Sequence, residues 1–455
     1  MAQALQKSQY AGEFQLESLK IFSPSREVFV DLLNICIQVD IFESIYNNSM
    51  TAQIIIVDTE NIIDKLPIVG QEYVEMKLSS PNASDDFNTL DFSGDRELFV
   101  SSIANKEVVG GSGAFTYVLT LVTKEFLINL NTRISKSYTD DISNIVRDLL
   151  KNKIGTRKKL NIEKTSGVRK IISPNLNPYT LINNLKREAT SNIDLSPHYL
   201  FFENKHGFNF VSIQSLFSRP YIAKLHSGET VKDAKINISN ASGRLNALSP
   251  DDSELMQAHK RILEHNFVPS KDIAMNLMSG MLGSTLITHD IYGKSYDKQE
   301  YNYFGDFKKF MRIESNPNPM YHPNLLQDLG NFRDSTIKLH PTSTVGGKDA
   351  QYYENEKTLY ESNKPKNWVQ QLKAKTVELE NGQMINMTIH GNSLYTVGDI
   401  VELSFPITGQ DHDGDEIDFS SGNYLISKLR HSLTPPTNSH MIHMSVVRDC
   451  SRTLI

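Results

Sequence analysis

The chain has 455 residues, 39% of them apolar, and a formal net charge of −6. That length suits about three domains, the apolar fraction excludes wholesale disorder, and the mild acidic balance argues against a binder driven by phosphate neutralisation. Cys36 and Cys450 stand at opposite ends, so neither a disulfide framework nor a structural zinc site is expected and the chain suits a reducing cytosol.

The opening stretch Met1–Tyr10 has no apolar core of the kind a secretory signal needs. The longest strongly apolar run, Ile54–Val57, is far short of the ~20 residues that span a bilayer. Residues 14 to about 130 read as a β-rich unit. Gln53–Asp58 is a run of β-branched residues that fits a strand buried on both faces. Glu72–Leu78 alternates, and Leu98–Ile103 and Thr116–Val122 add strands on either side of Gly110–Gly113.

The pattern changes near residue 130. Ile142, Ile145, Val146, Leu149 and Leu150 form a helical stripe within Tyr138–Leu150, and Pro178–Ala189 predicts a second helix. Between them, residues 151–170 hold eight basic side chains, either a solvated helix end and loop or a contact for an acidic partner. His198–Glu203 and Phe208–Ile213 flank Asn204–Gly207 as an aromatic hairpin. Ile273–Ile287 carries no charge and reads as a strand because of Gly280 and Gly283. Residues 314–366 are polar and Pro/Gly-punctuated, and Trp368–Lys375 resumes as a helix. Ile400–Phe405 then alternates as a strand, Tyr424–Arg430 is a second strand candidate, and His440–Arg448 is a third with Ile442, Met444 and Val446 on one face, the last two joined by a Pro435–Asn438 turn.

Chemical motifs are scarce. The sequence has no GxSxG, HExxH, Walker or GxGxxG pattern. Asp411–Asp418 places five carboxylates in eight residues, but a calcium loop of the EF-hand type wants Gly sixth and Glu twelfth, where this run has Gly414 fourth and Gly422 twelfth. A solvated hairpin tip is the plainer reading. His390, His412, His431, His440 and His443 cluster in sequence, yet His440 and His443 fall on opposite faces of one strand. Gly110–Gly113 precedes a strand, so no helix dipole backs a phosphate site there. No catalytic, cofactor-binding or metal-binding residues are therefore assigned, and no cofactor is expected.

Ile54–Tyr73, Arg133–Leu150, the hairpin at Phe201–Phe208, and the strands Tyr424–Arg430 and Met441–Val447 resemble, in order along most of the chain, the baseplate central hub proteins of contractile-tailed (myovirus-type) bacteriophages. These are related to the N-terminal part of type VI secretion spike proteins. The resemblance implies a mainly β chain with α+β parts: two tail-tube-like antiparallel β-barrels, a small helix-containing domain and a loop-rich insertion. It implies a first barrel at 1–130, an α+β domain at 131–235 containing hairpin 198–213, a second, discontinuous barrel from 236–313 and 376–455, and an insertion at 314–375 ending in a helix. It further implies a structural, non-enzymatic homotrimer whose six barrels match a hexameric tail tube on one side and a trimeric spike on the other. Partners would be the spike, the tail tube, and tape-measure and baseplate wedge proteins, with DNA only in transit through a central channel and no membrane anchor. The location would be the virion tail baseplate, assembled in the host cytoplasm. The chain ends at Ile455, which implies a puncturing needle on a separate polypeptide. Two other readings stay open: a tail-associated peptidoglycan hydrolase, and a carbohydrate-binding adhesin using Tyr352, Tyr353 and Tyr360.

Overall fold

The computed structural model describes residues 11–59, 68, 70–79, 89–109, 114–227, 258–268, 273–290, 294–309, 311–317, 337–342, 368–380, 382–406, 409–410, 416–417 and 420–451. The fold is mostly strand with few helices, as the sequence indicates. The first unit comprises β1 (Gln15–Phe22), β2 (Phe29–Asp31), β3 (Cys36–Ser44), β4 (Thr51–Asp58), β5 (Tyr73–Ser79), β6 (Thr89–Phe92), β7 (Leu98–Val109) and β8 (Ala114–Thr123). Every second side chain turns inward, as the two-residue period of a strand requires. Leu19, Ile21, Val39, Ile41, Met76, Leu119 and Leu121 thus fill one core. The β-branched run of β4 is buried on one face only: Ile54 and Ile56 enter this core, while Ile55 and Val57 are half-buried.

The second unit holds α1 (Lys124–Asn131), β9 (Ser137–Asp141), α2 (Ile142–Asp148), β10 (Lys159–Ile162), β11 (Val168–Ile172), α3 (Pro178–Glu188), β12 (Tyr199–Asn204) and β13 (Gly207–Ser212). The helix read within Tyr138–Leu150, with Thr139 or Asp140 as its cap, starts slightly later, at Ile142, because residues 137–141 pair with β11. A π-type turn, Leu149–Ile154, follows it and ends at Gly155. The apolar stripe survives intact, with Ile142, Ile145, Val146, Leu149 and Leu150 all in the core of this unit. The β12–β13 hairpin forms as its sequence predicts and is buried along its whole length on both faces. Phe201, Phe208 and Phe210 face α2 and α3, while Leu200, Phe202 and Val211 face the second barrel. Double burial explains its unbroken aromatic character. Gly207 (φ +132°) permits the turn, since a Cβ there would lie 2.2 Å from the Lys159 carbonyl oxygen. A short α4 (Ile213–Phe217) follows, capped by Ser212, whose hydroxyl accepts from Ser215 N at 3.2 Å.

The remainder is β14 (Tyr221–Ser227), β15 (Arg261–Val268), α5 (Ile273–Ser279), β16 (Gly283–Asp290), β17 (Ser295–Asn302), α6 (Tyr303–Asp306), β18 (Asn316–Pro317), β19 (Ile337–Thr342), α7 (Val369–Glu380), β20 (Gln383–His390), β21 (Ile400–Ser404), β22 (Gly409–Gln410), β23 (Glu416–Ile417), β24 (Gly422–Thr434), β25 (Ser439–Arg448) and β26 (Cys450–Ser451). Six of these close a ring in the order β24-β21-β14-β15-β20-β25, with β25 pairing back onto β24. Ile442, Met444 and Val446 point into it, as the alternation of β25 predicts.

Three expectations need correction. Ile273–Ile287 is not one strand. α5 ends at Gly280 (φ +75°), whose left-handed backbone terminates a helix, and β16 begins only at Gly283. Residues 221–227 belong with the second barrel rather than the α+β unit, because β14 pairs in parallel with β21 and β15. Within 236–313, β15 alone joins the barrel: β16 and β17 pair with β19 in a separate three-stranded sheet.

The two barrel units are one hydrogen-bonded sheet. β24 pairs with β21 through Gly422–Leu425, then with β3 through Lys428–Leu433, while β25 follows its other edge. A single strand therefore crosses from one unit to the other and supplies Leu429 to one core and Leu433 to the next.

Candidate functional site

Three buried polar junctions brace the fold, the first two between units and the third within the last part of the chain. In the first, Lys158 Nζ donates to Glu125 Oε2 (2.8 Å) and to Glu203 Oε1 (2.7 Å). Met50 N and the Thr123 hydroxyl donate to Glu203 Oε2 at 3.2 and 3.1 Å, which ties β12 to the first barrel. Burial by itself drives a lysine toward neutrality, but two carboxylates within hydrogen-bond reach outweigh it and hold the Lys158 pKa above its ordinary value. One cation cannot neutralise two anions, so burial, together with the charge of Glu125, raises the Glu203 carboxyl even against Lys158.

The second junction sits at the hairpin tip. Glu43 on β3 accepts from Lys205 N and Val397 N, both at 3.1 Å, and from the Thr396 hydroxyl. The Lys205 ammonium donates to the carbonyls of Ser393 and Leu394. The tip thus clasps both barrels. The third repeats the pattern of one cation between two acids. Arg312 bonds Glu378 and Asp449, and the Tyr303 hydroxyl donates to Glu378 at 2.9 Å.

Outside the ring lies an open concavity of about 830 Å³, formed by β3, β24, β25, β20 and β15. Its floor is polar and nearly self-neutralised. Arg430 Nε and Nη2 bond both oxygens of Asp40 at 3.0 and 2.8 Å. Thr388 pairs with His443 at 3.0 Å, and the Ser445 hydroxyl donates to Asn386 at 2.6 Å. The strand registers carry this character onto the first barrel through Gln53, Thr120 and Ser102.

The histidines separate as the alternation indicates: His440 is fully buried and His443 lies on the outer face. Cross-strand packing adds a contact that spacing did not reveal. His431 Nδ1 and His440 Nε2 hydrogen-bond at 3.0 Å inside the fold. Burial holds His440 down to about 3 and His390 down to about 4, so both are neutral at pH 7. Among the described residues, no group of three or more His, Cys, Asp or Glu side chains is placed to hold a metal. Most of Asp411–Asp418, all of Gly110–Gly113, His412, and Tyr352, Tyr353 and Tyr360 lie outside the described residues. No helix among the described residues is long and apolar enough to cross a membrane.

No family model matches the chain. It is 22% identical over 433 residues to a protein named as a probable baseplate hub protein, gp334, of Vibrio phage KVP40, across 90% of this chain and 89% of the relative. This chain resembles a phage baseplate hub. Two solved tail proteins share the fold. A tail protein from Neisseria meningitidis MC58 superposes with a TM-score of 0.51 at 10% identity, over 96% of this chain and 97% of its own. The 43 kDa tail protein of prophage MuSo2 from Shewanella oneidensis gives 0.52 at 9% identity, over 95% and 98%. The hub resemblance read from the sequence strings is thereby borne out across nearly the full length.

Proposed function

We propose that this chain is the structural baseplate hub of a contractile phage tail, a homotrimer that joins the hexameric tail tube to the trimeric spike around a central channel for DNA. The observation that carries this reading is the shared strand β24. It fixes two β units side by side in one continuous sheet, so three chains would present six units. The hub-like relative supports the assignment to a tail. The polar face crossing both units suits a channel wall. Its Arg430 is already paired with Asp40, and its Lys428 is matched in number by Glu264, so the face carries little net positive charge to hold a passing polyanion. On this reading the division of labour is a first barrel, an α+β wedge, a second barrel that includes β14, and an insertion. The protein acts in the virion baseplate after assembly in the host cytoplasm, against spike, tube, tape-measure and wedge proteins. Light scattering should give the mass of three chains, and negative-stain microscopy a six-lobed ring. A monomer at high concentration overturns the reading, and cleared zones in a cell-wall zymogram favour a hydrolase instead.

A further inference from the structure

Four strands of each barrel unit share one plan. In the first unit they run β7-β8-β4-β3 and in the second β24-β25-β20-β15, antiparallel throughout. The registers coincide pair for pair. Ser102 opposite Thr120, Thr120 opposite Gln53 and Gln53 opposite Asp40 match Lys428 opposite Ser445, Ser445 opposite Asn386 and Asn386 opposite Asn266. The bulges repeat as well. The shift between Val100 and Ser102 of β7 recurs between Ile426 and Lys428 of β24, and that between Cys36 and Gln38 of β3 recurs between Ile262 and Glu264 of β15.

Inside the chain the two plans meet where β3, the last strand of the first, pairs with β24, the first strand of the second. The outer strands β7 and β15 hold the same two positions in the plan. On the side away from β8, β7 meets β5 only at Leu98 and Phe99, with one further bond from Val100 N to the Glu72 carbonyl at 2.9 Å. On the side away from β20, β15 meets β14 only at Arg261 and Ile262. Among the described residues no strand pairs with the rest of either edge. Open edges of this length are templates for another strand. We propose that β7 of one copy pairs antiparallel with β15 of a second copy, in the register that β24 and β3 show within the chain. The inference deepens the homo-oligomeric reading above and rests on it.

The transposed register names the contacts. Leu433 of β24 stands opposite Val39 of β3 and is buried in the first unit's core. Its counterpart on β7 is Val108, because β7 carries one further bulge between Ala104 and Glu107; Val108 then faces Phe115 of β8 as Leu433 faces His440 of β25. The counterpart of Val39 is His265, which clusters with Phe267 and Phe405 at ring-centroid distances of 5.0 to 5.5 Å. Ile41, the counterpart of Phe267, is buried at the internal joint. In the single chain Val108 is 62% exposed and Phe267 42%. Pairing between copies covers both, at the positions where the internal joint is packed. On the other face Asn266 meets Glu107, as Asp40 meets Ser432. A joint between two different edges of one chain is head-to-tail and repeats from copy to copy.

The test is a cross-link that reads the register. Residues directly opposite on antiparallel strands lie within disulfide reach, whereas neighbours along a strand face opposite ways. On oxidation, the full chain carrying Val108→Cys and His265→Cys should give covalent ladders of two and three chains on a denaturing gel, and the chain carrying Val108→Cys and Asn266→Cys should not. Cys36 and Cys450 are buried and add no background. As a second measurement, Val108→Asp should weaken self-association at least roughly tenfold in sedimentation, with circular dichroism confirming that it folds. A wild-type trimer in which both cysteine pairs link equally, or neither links, overturns this pairing and leaves the trimer standing. A wild type that stays monomeric overturns both readings.

Discussion

The two barrel units deal with the edges of a sheet in different ways. In the second, all six strands are hydrogen-bonded on both sides, so the ring closes itself. In the first, the sheet begins at β2, which among the described residues pairs only with β1, and it continues through β3 into β24 of its neighbour. The first unit therefore owes part of its form to what it is attached to: β24 on one side and the hairpin wedge with its buried charges on the other. The second unit closes around its own apolar interior, with the Arg312 charge cluster buried in the same part of the chain. Local strand patterning suffices to build a closed ring, whereas a unit grafted onto others needs specific polar junctions to fix its pose.

The comparison can be broken first at the Lys158 junction. Lys158→Met leaves Glu125 and Glu203 buried without their cation, and the cost should be about 3–5 kcal/mol, read by chemical denaturation. A loss below 1 kcal/mol would show that the wedge does not depend on the ion triad.

Within β24, Leu429→Ala and Leu433→Ala should each cost about 2–5 kcal/mol. Hydrogen exchange should separate them, because Leu429 packs in the second barrel's core and Leu433 in the first's. Loss of protection spread equally over both units in both variants would mean that they unfold as one body.

Acid should act where the two barrel units meet, since His431 lies opposite Ile41 of β3 and the His440 ring packs against Phe14. His390, His431 and His440 have folded pKa values held below the ordinary histidine value by burial. Below pH ~6.5 the unfolded chain takes up protons that the folded chain refuses, so the stability is complete above that pH and falls as pH drops toward the folded values. Each such histidine contributes a slope of about 1.4 kcal/mol per pH unit in that window. Replacing His440 with Gln should flatten the profile; an unchanged slope would remove His440 from this account. The smallest effect is expected at the exposed Lys224–Glu402 pair, 3.2 Å apart, where Lys224→Ala should change stability by no more than about 1 kcal/mol.

How much of this was legible varied by region. Ile400–Phe405 and His440–Arg448 were legible because one face is more exposed than the other, so their alternation survives in the residues, whereas Tyr424–Ser427 is buried on both faces and showed only as an apolar strand candidate. The β12–β13 hairpin was legible through its turn and aromatics, although its sequence did not say that both faces would be covered. The strand Ser137–Asp141 was not legible because its partner, Val168–Ile172, lies some thirty residues further on. The uncharged stretch from Ile273 was misread because Gly280 and Gly283 mark a helix end and a strand start equally well. None of the junction residues had a signal in spacing. Glu43 meets Lys205 and Thr396, and Arg312 meets Asp449, only because distant strands bring them together.

The sequence by itself determined a β-rich, chemically plain chain and the inward face of most of its strands, since hydrophobic periodicity is a local property of consecutive residues. Tertiary structure alone decided that β24 runs from one unit into the next, that β14 joins the second barrel, and that two buried charge clusters lock the units while a third braces the last part of the chain. Those outcomes depend on which distant strand lies alongside, and on carboxylates and cations that become strongly coupled only once water between them is gone.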